Sequence, residues 1–255
     1  MKKILFSVLC LLVTVSIFAQ NDKKDLHIIF IGNSITQGSL LEHPDKEAAP
    51  VKACEYLEKQ EKVKSIKYIN CGRSGATTVD FLPASQSLFN NVTKAADELY
   101  QKNIPCIFSI MIGTNDSAEK GPNGSPISPV QYYTNMKVII DELQSLYPSA
   151  AFVLHYPIWY SPNTYNSSIY LQAGLNRLQS YHSIIDKLIA DYAQKSPNLL
   201  FKGDTEGFEY FKANYETEFT PENGNAGIFY LHPNKSGATK LGKFWGKAIY
   251  NIVFP

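Results

Sequence analysis

Four short motifs in the chain carry residue types suited to acyl-transfer chemistry. They are GNSITQG at 32–38, SGATT at 74–78, GTND at 113–116 and LHPN at 231–234. A serine hydroxyl becomes a nucleophile when a neighbouring base removes its proton, and acyl transfer also needs donors that face the developing oxyanion. Ser34 could supply the hydroxyl and His232 the base. Gly75 and Asn115 could supply the oxyanion donors.

Three of these motifs directly follow predicted β-strands. Apolar runs at 26–31 and 106–112 predict a buried strand and a central strand, and 66–70 predicts a further strand; each ends just before a motif. In open α/β sheets, ligands bind at the carboxyl ends of the strands. We therefore expect Ser34, Gly75 and Asn115 to converge at one edge of a sheet, with His232 joining them from the last loop.

Strands and helices alternate along the rest of the chain. Helical spacing of apolar residues occurs at 47–62, 85–103, 128–146, 169–196 and 236–253, and further strands are predicted at 151–156 and 199–202. Ser236 is the expected N-cap of the last helix. Such alternation predicts a mostly parallel sheet with helices on both faces. The predicted fold is a three-layer α/β/α sandwich formed by one domain at 21–255.

The four motifs resemble the sequence blocks of the SGNH hydrolases, also called GDSL-type esterases and lipases, including carbohydrate O-acetylesterases. The resemblance implies a flavodoxin-like α/β fold and an esterase with Ser34 as nucleophile and His232 as base. It also implies an oxyanion hole formed by the N–H groups of Ser34 and Gly75 and by the side-chain amide of Asn115. These blocks extend over residues 32–237, which is nearly the whole predicted domain.

The sequence departs from the family pattern at two positions. Asn33 replaces the commoner Asp of the first block, and Phe229 occupies the position, three residues before the histidine, where the family usually has its third triad member. In a triad this acid orients the imidazole and stabilises the imidazolium. Its absence from the usual position leaves three alternatives.

The first alternative is a carboxylate from the acid-rich stretch before the histidine, of which Glu222 is nearest in sequence. The members of this stretch are Asp204, Glu206, Glu209, Glu216, Glu218 and Glu222. The second is a Ser-His dyad whose imidazole is oriented by a backbone carbonyl or by an amide such as that of Asn225. The third is an impaired enzyme that has kept the fold.

An aromatic-rich irregular segment at 156–170 bears on the substrate. Its aromatic residues are Tyr156, Trp159, Tyr160, Tyr165 and Tyr170, set among Pro, Asn and Ser. Aromatic rings in polar loops can stack on sugars, so Trp159 and Tyr160 are candidate substrate contacts, although such rings also anchor loops to the protein body. A second irregular segment, 117–129, is expected at the rim of the site.

The resulting functional hypothesis is removal of O-acetyl groups from a sugar or glycan. Two alternatives remain at this stage, both on the same fold. One is a lipase- or thioesterase-type acyl hydrolase, and the other is a catalytically impaired glycan-binding protein.

The first twenty residues have the pattern of a secretory signal. Lys2 and Lys3 precede an apolar run at 4–18 that ends at Ala19 and Gln20. The run is shorter than the roughly 20 residues that a membrane-spanning helix needs. Export to the periplasm or the medium is therefore expected, without stable membrane association.

Charge and motif content exclude several other functions. Removal of the two lysines of the signal lowers the formal net charge from +1 to −1, which gives no electrostatic basis for binding nucleic acid. No zinc-ligand spacing and no GxxxxGK or GxGxxG motif is present, so no metal and no nucleotide cofactor is expected. Cys54 and Cys106 are interpreted as small core residues, and His155 as a structural histidine.

Overall fold

A five-stranded parallel sheet forms the centre of the molecule. The computed structural model describes residues 23–255, so the predicted signal segment at 1–20 lies outside the described residues. The strands are β1 (Lys24–Gly32), β2 (Val63–Asn70), β3 (Cys106–Met111), β4 (Ala151–Leu154) and β5 (Leu200–Lys202), in the order β2-β1-β3-β4-β5. All neighbouring pairs are parallel. The predicted α/β fold is confirmed, and the apolar runs of β1 and β3 are buried as central parallel strands require.

Helices cover both faces of this sheet. They are α1 (Ser34–Gln37), α2 (Pro44–Glu47), α3 (Ala49–Glu58), α4 (Leu88–Leu99), α5 (Pro129–Leu146), α6 (Leu171–Lys195), α7 (Gly207–Ala213), α8 (Tyr215–Glu218) and α9 (Lys235–Val253). Short 3₁₀ helices occupy Thr78–Phe81 and Pro83–Ser85. The strand order reverses after β2, so right-handed crossovers put α3 on one face and α4, α5 and α6 on the other. Within residues 23–255, no helix is both long and apolar enough to span a membrane.

Helix α9 packs closely on α3. A Cβ atom at Gly242 would lie 2.6 Å from the carbonyl oxygen of Ala49, so this contact requires glycine. The start of α9 differs from the sequence prediction. Asn234, rather than Ser236, is the N-cap, and its Oδ1 accepts from the N–H of Gly237 at 3.1 Å. The helix therefore begins one residue earlier than predicted, immediately after the histidine motif.

A two-stranded antiparallel hairpin lies outside the parallel sheet and was not predicted. It consists of β6 (Phe219–Gly224) and β7 (Gly227–Pro233). Gly227, with a φ of +90°, takes the left-handed conformation that the tight turn requires. Phe229 is opposite Glu222 in the register of this hairpin. The acid-rich stretch is thus in part a strand paired with the histidine motif.

His155 has the structural role that the sequence predicts. Its Nε2 lies 2.9 Å from Ser109 Oγ, and its Nδ1 accepts from the N–H of Asp204 at 2.9 Å. Burial lowers the pKa of His155 to about 3, so the ring is neutral at ordinary pH. Cys54 and Cys106 are buried free thiols, as expected for small core residues.

Candidate active site

Ser34 is held at the junction between β1 and α1. It is the first residue of α1, and Asn33 caps that helix through Oδ1, which accepts from the N–H of Ile35 at 3.0 Å. Gly38, with a φ of +85°, ends the helix after one turn. The short helix therefore presents the Ser34 hydroxyl at the carboxyl end of a central strand, the position at which an α/β sheet binds ligands.

Gly75 has a backbone geometry suited to an anion-binding donor. Its φ is +78°, a left-handed conformation that glycine adopts without strain. Within residues 23–255 its N–H has no hydrogen-bond partner, whereas the neighbouring N–H of Ser74 donates to Gln37 Oε1 at 2.6 Å. The loop is thus attached to α1 on one side of Gly75, and the Gly75 N–H remains available to a ligand.

The Asn115 side chain comes from the loop after β3. It is almost fully buried and makes two hydrogen bonds: Nδ2 donates to the carbonyl oxygen of Ala76 at 2.9 Å, and Oδ1 accepts from Tyr170 Oη at 2.7 Å. An amide nitrogen carries two hydrogens. One N–H of Asn115 therefore remains for a group bound in the adjacent cavity.

Asp116 connects the loops that carry Gly75 and Asn115. Its Oδ1 accepts from the backbone N–H of Thr78 at 2.9 Å and from the Thr78 hydroxyl. Its backbone carbonyl accepts from the N–H of Ile127 at 2.8 Å, which attaches the 117–129 segment. Burial raises the pKa of Asp116 to about 6. The aspartate of GTND thus links the loop that carries Gly75 to the loop that carries Asn115 and holds their relative positions.

The hairpin brings the histidine to the serine. His232 Nε2 lies 2.9 Å from Ser34 Oγ, and His232 Nδ1 lies 2.9 Å from Glu222 Oε1. A carboxylate from the acid-rich stretch contacts the imidazole, which is the contact that the first of the three alternatives requires. The contacting residue is Glu222, the one nearest in sequence.

A β-bulge explains how Glu222 reaches the imidazole. Phe219 pairs with Pro233 and Pro221 with Tyr230, so two residues of β7, Leu231 and His232, lie opposite one residue of β6. Bulges bend the strand and redirect a side chain, and they leave a backbone N–H outside the ladder. Here Glu222 Oε1 accepts that N–H of His232 at 3.2 Å, in addition to its contact with the ring.

Phe229 has a packing role in place of the expected acid. It is 1% exposed, and its ring lies so close to the backbone that a Cβ atom at Gly224 would come within 2.7 Å of it. The side chain at this position therefore belongs to the hydrophobic core of the molecule. The carboxylate comes from Glu222 on the opposite strand.

All four predicted residues face one small cavity. Its volume is about 140 Å³. The lining residues are Ser34, Ser74, Gly75, Asn115, Pro122, Asn166, Ser167, Ser168, Tyr170, Leu231 and His232. Pro122 belongs to the segment at 117–129, which was expected at the rim. Most of the wall is formed by hydroxyl, amide and backbone groups, with apolar surface from Pro122, Leu231 and the Tyr170 ring.

The prediction that Trp159 and Tyr160 contact substrate is wrong. Trp159 is 6% exposed and packs against Tyr215 and Phe219, with ring centroids 5.5 and 6.1 Å away. Tyr160 is fully buried, and its hydroxyl lies 3.0 Å from Ser117 Oγ. Both rings anchor the segment to the body because burial of aromatic surface is favourable.

Three polar residues of the cavity wall, Asn166, Ser167 and Ser168, had no specific role predicted from the sequence. Tyr170 was predicted only as one of five aromatic residues in the segment. The signal available was the polar composition of the segment, which does not show which side chains point inward. Within residues 23–255, no group of three or more His, Cys, Asp or Glu side chains is arranged to hold a metal ion.

Comparisons with known proteins identify a family and a shared fold. The model of the GDSL-like lipase/acylhydrolase family matches residues 30–240. A sequence search of curated proteins gave no match. Among solved structures, the aryl esterase of M. smegmatis has a TM-score of 0.59 at 13% identity, with 89% of this chain and 99% of that chain covered.

Two further similar structures are carbohydrate esterases. The acetylxylan esterase Axe2 of Geobacillus stearothermophilus has a TM-score of 0.59 at 15% identity, with 92% of this chain and 97% of that chain covered. The carbohydrate acetylesterase Est24 of Sinorhizobium meliloti has a TM-score of 0.56 at 15% identity, with 90% and 100% covered. At these identities the likeness shows a shared fold.

Proposed function

Because this chain belongs to the GDSL-like lipase/acylhydrolase family and is a carboxylic ester hydrolase, we propose that it is a serine esterase that removes acetyl groups from a sugar or glycan. The observation that carries the proposal is the continuous series Ser34–His232–Glu222, with 2.9 Å at each contact, beside a cavity of about 140 Å³. We also propose that the predicted signal at 1–20 directs export, which would place the enzyme where extracellular glycans are available.

The proposed first step is attack of Ser34 Oγ on the ester carbonyl. His232 Nε2 accepts the hydroxyl proton as the new bond forms. Glu222 accepts the Nδ1–H hydrogen bond, which fixes the tautomer that leaves Nε2 free to accept a proton. The carboxylate also stabilises the imidazolium that results.

The tetrahedral intermediate carries its negative charge on the former carbonyl oxygen. The N–H groups of Ser34 and Gly75 and the remaining N–H of Asn115 donate to this oxygen. The intermediate collapses when His232 returns the proton to the sugar oxygen, which leaves as an alcohol and leaves an acetyl group on Ser34. A water molecule, deprotonated by His232, then attacks the acetyl-enzyme, and His232 returns that proton to Ser34 Oγ as its bond to the acetyl group breaks, which releases acetic acid that ionises to acetate.

The size and lining of the cavity favour acetyl over longer acyl groups. A lipase or thioesterase needs an extended apolar trough, whereas here apolar surface comes from Pro122, Leu231 and Tyr170 within about 140 Å³. Hydroxyl and amide groups of Ser74, Asn166, Ser167 and Ser168 line the rest and suit a polyhydroxylated alcohol. The carbohydrate esterases named among the similar structures support this choice.

A series of nitrophenyl esters from acetyl to octanoyl tests the acyl preference. We expect the highest kcat/KM with acetyl and a fall of at least about tenfold by butyryl, since a misplaced reacting group can cost about 100-fold in rate. We also expect the enzyme to release acetate from acetylated xylo-oligosaccharides. An optimum at octanoyl would overturn the acetylesterase proposal and favour the lipase alternative.

Covalent labelling of Ser34 by a fluorophosphonate tests whether the site is active. We expect labelling of the wild-type protein and none in His232→Ala. Absence of labelling in the wild-type protein would favour the impaired glycan-binding alternative. As a second test, Asn115→Ala should lower kcat about 100- to 1,000-fold, the usual effect of removing one oxyanion donor, with little effect on folding.

A further inference from the structure

The orientation of the Asn115 amide decides whether this residue can act in the oxyanion hole. The two ends of an amide are nearly equal in shape, but the nitrogen donates and the oxygen accepts. In the structure, Nδ2 donates to the carbonyl of Ala76 at 2.9 Å and Oδ1 accepts from Tyr170 Oη at 2.7 Å. With the amide rotated by half a turn, Oδ1 would face the Ala76 carbonyl, and oxygen would replace the N–H available to the substrate oxyanion.

Tyr170 is itself firmly placed. Its side chain is almost fully buried, and its ring meets the ring of Tyr160 edge-on, with centroids 5.4 Å apart. The backbone N–H groups of Tyr170 and Leu171 both donate to the carbonyl of Thr164 at 3.2 Å. Leu171 has a φ of +52°, an uncommon conformation for a non-glycine residue, so the chain is held in a defined turn before α6. The tyrosine hydroxyl therefore has little freedom to leave Asn115.

The chemistry of the hydroxyl also suits the role. Burial raises the pKa of Tyr170 to about 12, so the group keeps its proton across the pH range in which an esterase works. A protonated hydroxyl can donate to the oxygen end of the amide, while the Ala76 carbonyl, which can only accept, requires the nitrogen end on its side, so the two contacts together define the orientation. The tyrosine lines the same cavity as Ser34 and His232, and the amide that its hydroxyl contacts lines that cavity too.

We propose that Tyr170 is a positioning residue of the oxyanion hole, which holds the Asn115 amide with one N–H directed at the substrate. This proposal rests on the proposed esterase function. Tyr170 acts through Asn115 and takes no part in proton transfer. The role is separate from packing, because its effect depends on the presence of the amide.

The test is a double-mutant cycle on an acetyl ester. Tyr170→Phe keeps the ring and removes the hydroxyl, and we expect kcat to fall about tenfold, as for loss of one hydrogen bond, while KM changes less than about twofold. In the Asn115→Ala background, Tyr170→Phe should have no further effect, because the group that it positions is gone.

Tyr181→Phe is the matched control. It removes another buried tyrosine hydroxyl, which donates to the carbonyl of Ile127 at 2.6 Å and makes no contact with Asn115. We expect kcat to remain within about twofold of wild type, since no oxyanion donor is affected. Thermal unfolding of all variants separates loss of fold from loss of rate.

Each outcome decides the proposal. If Tyr170→Phe lowers kcat equally with and without Asn115, or leaves the wild-type kcat unchanged, the positioning role is overturned and the esterase function stands. A fall in kcat with Tyr181→Phe as large as that with Tyr170→Phe would also overturn it. If the wild-type protein hydrolyses no acetyl ester, the proposed function fails and the positioning role fails with it.

Discussion

The candidate site has two halves that are built differently. Ser34, Gly75 and Asn115 follow three strands of the parallel sheet, and we call them the strand-end half. Glu222 and His232 lie on β6 and β7, and we call them the hairpin half. The hydrogen bond between Ser34 and His232 joins the two halves. The chemistry therefore depends on a contact between the edge of the parallel sheet and a separate hairpin.

The support of the hairpin half comes from the aromatic-rich segment. An isolated two-stranded hairpin is marginally stable, so β6 and β7 need a neighbour. Ser161 N–H donates to the carbonyl of Tyr230 at 2.9 Å, and the Tyr230 N–H donates to Ser161 Oγ at 2.8 Å. The Asn163 amide donates to the carbonyl of Ile228 at 2.7 Å. Four predictions test the difference between the halves.

The largest effect is expected when the nucleophile and the base are removed in turn. Ser34→Ala and His232→Ala should each lower kcat about 10⁶-fold, and the double variant should be no worse, because residues of a nucleophile-base pair act as a unit. Steady-state or single-turnover rates with nitrophenyl acetate measure this. Multiplicative losses in the double variant would show that the two halves act separately.

The acid of the hairpin half should have the next largest effect. Glu222→Gln is expected to lower kcat about 10⁴-fold, as for amide replacement of a triad acid, with the fold retained. Glu209→Gln is the control, because its exposed carboxylate lies on α7 and contacts Lys212 at 3.9 Å. A loss of less than tenfold in Glu222→Gln would indicate a dyad.

The buried aspartate of the strand-end half should affect the pH dependence of stability. The pKa of Asp116 is about 6 in the folded protein against an ordinary 3.8, so folding favours its protonated form. Its stabilising contribution is complete below pH 4 and is lost as the pH rises through 6. Between pH 4 and 7, the free energy of unfolding of Asp116→Asn should therefore rise by about 2 kcal/mol relative to that of the wild type.

Urea unfolding at several pH values measures this difference. Asp45→Asn, which changes an exposed carboxylate on α2, is the control and should leave the pH dependence unchanged. A constant difference between Asp116→Asn and wild type over this range would contradict the assignment of the raised pKa.

The smallest effect is expected from loosening the hairpin. Asn163→Ala removes the amide that donates to the carbonyls of Ala226 and Ile228, and we expect kcat to fall about fivefold, as for loss of roughly 1 kcal/mol of hydrogen bonding. Asn90→Ala removes a similar amide-to-carbonyl bond on α4, to Gln86, and should leave kcat unchanged. Equal kcat in the two variants would remove the distinction between the halves.

The strand-end half could be predicted from the sequence because its information is local. Each motif follows a predicted strand, and the carboxyl ends of parallel strands lie at the same edge of the sheet. Gly75 and Asn115 therefore lie beside Ser34, although they are far apart in sequence. The short helices α1, α2, α7 and α8 were not predicted, because helices of one or two turns give too little periodicity.

The hairpin half could not be predicted in the same way. Contact between Glu222 and His232 depends on the register of β6 and β7 and on a one-residue bulge, which a motif with fixed spacing does not encode. The family motif has its acid at the position of Phe229, whereas strand pairing in this chain puts Glu222 opposite Phe229. The burial of Trp159 and Tyr160 was missed for a related reason, since composition does not show which way a ring points.

The shared hairpin has a consequence for how activity responds to temperature. Because Glu222 and His232 lie on paired strands, a displacement of the hairpin carries both together, and their hydrogen bond is retained. The hydrogen bond that lengthens is the one between His232 and Ser34, because Ser34 lies at the end of a strand of the sheet. Elements outside the central sheet can open locally at free energies below that of global unfolding. Heating should therefore stop turnover reversibly several degrees before the sheet unfolds, with the acid-base pair still assembled.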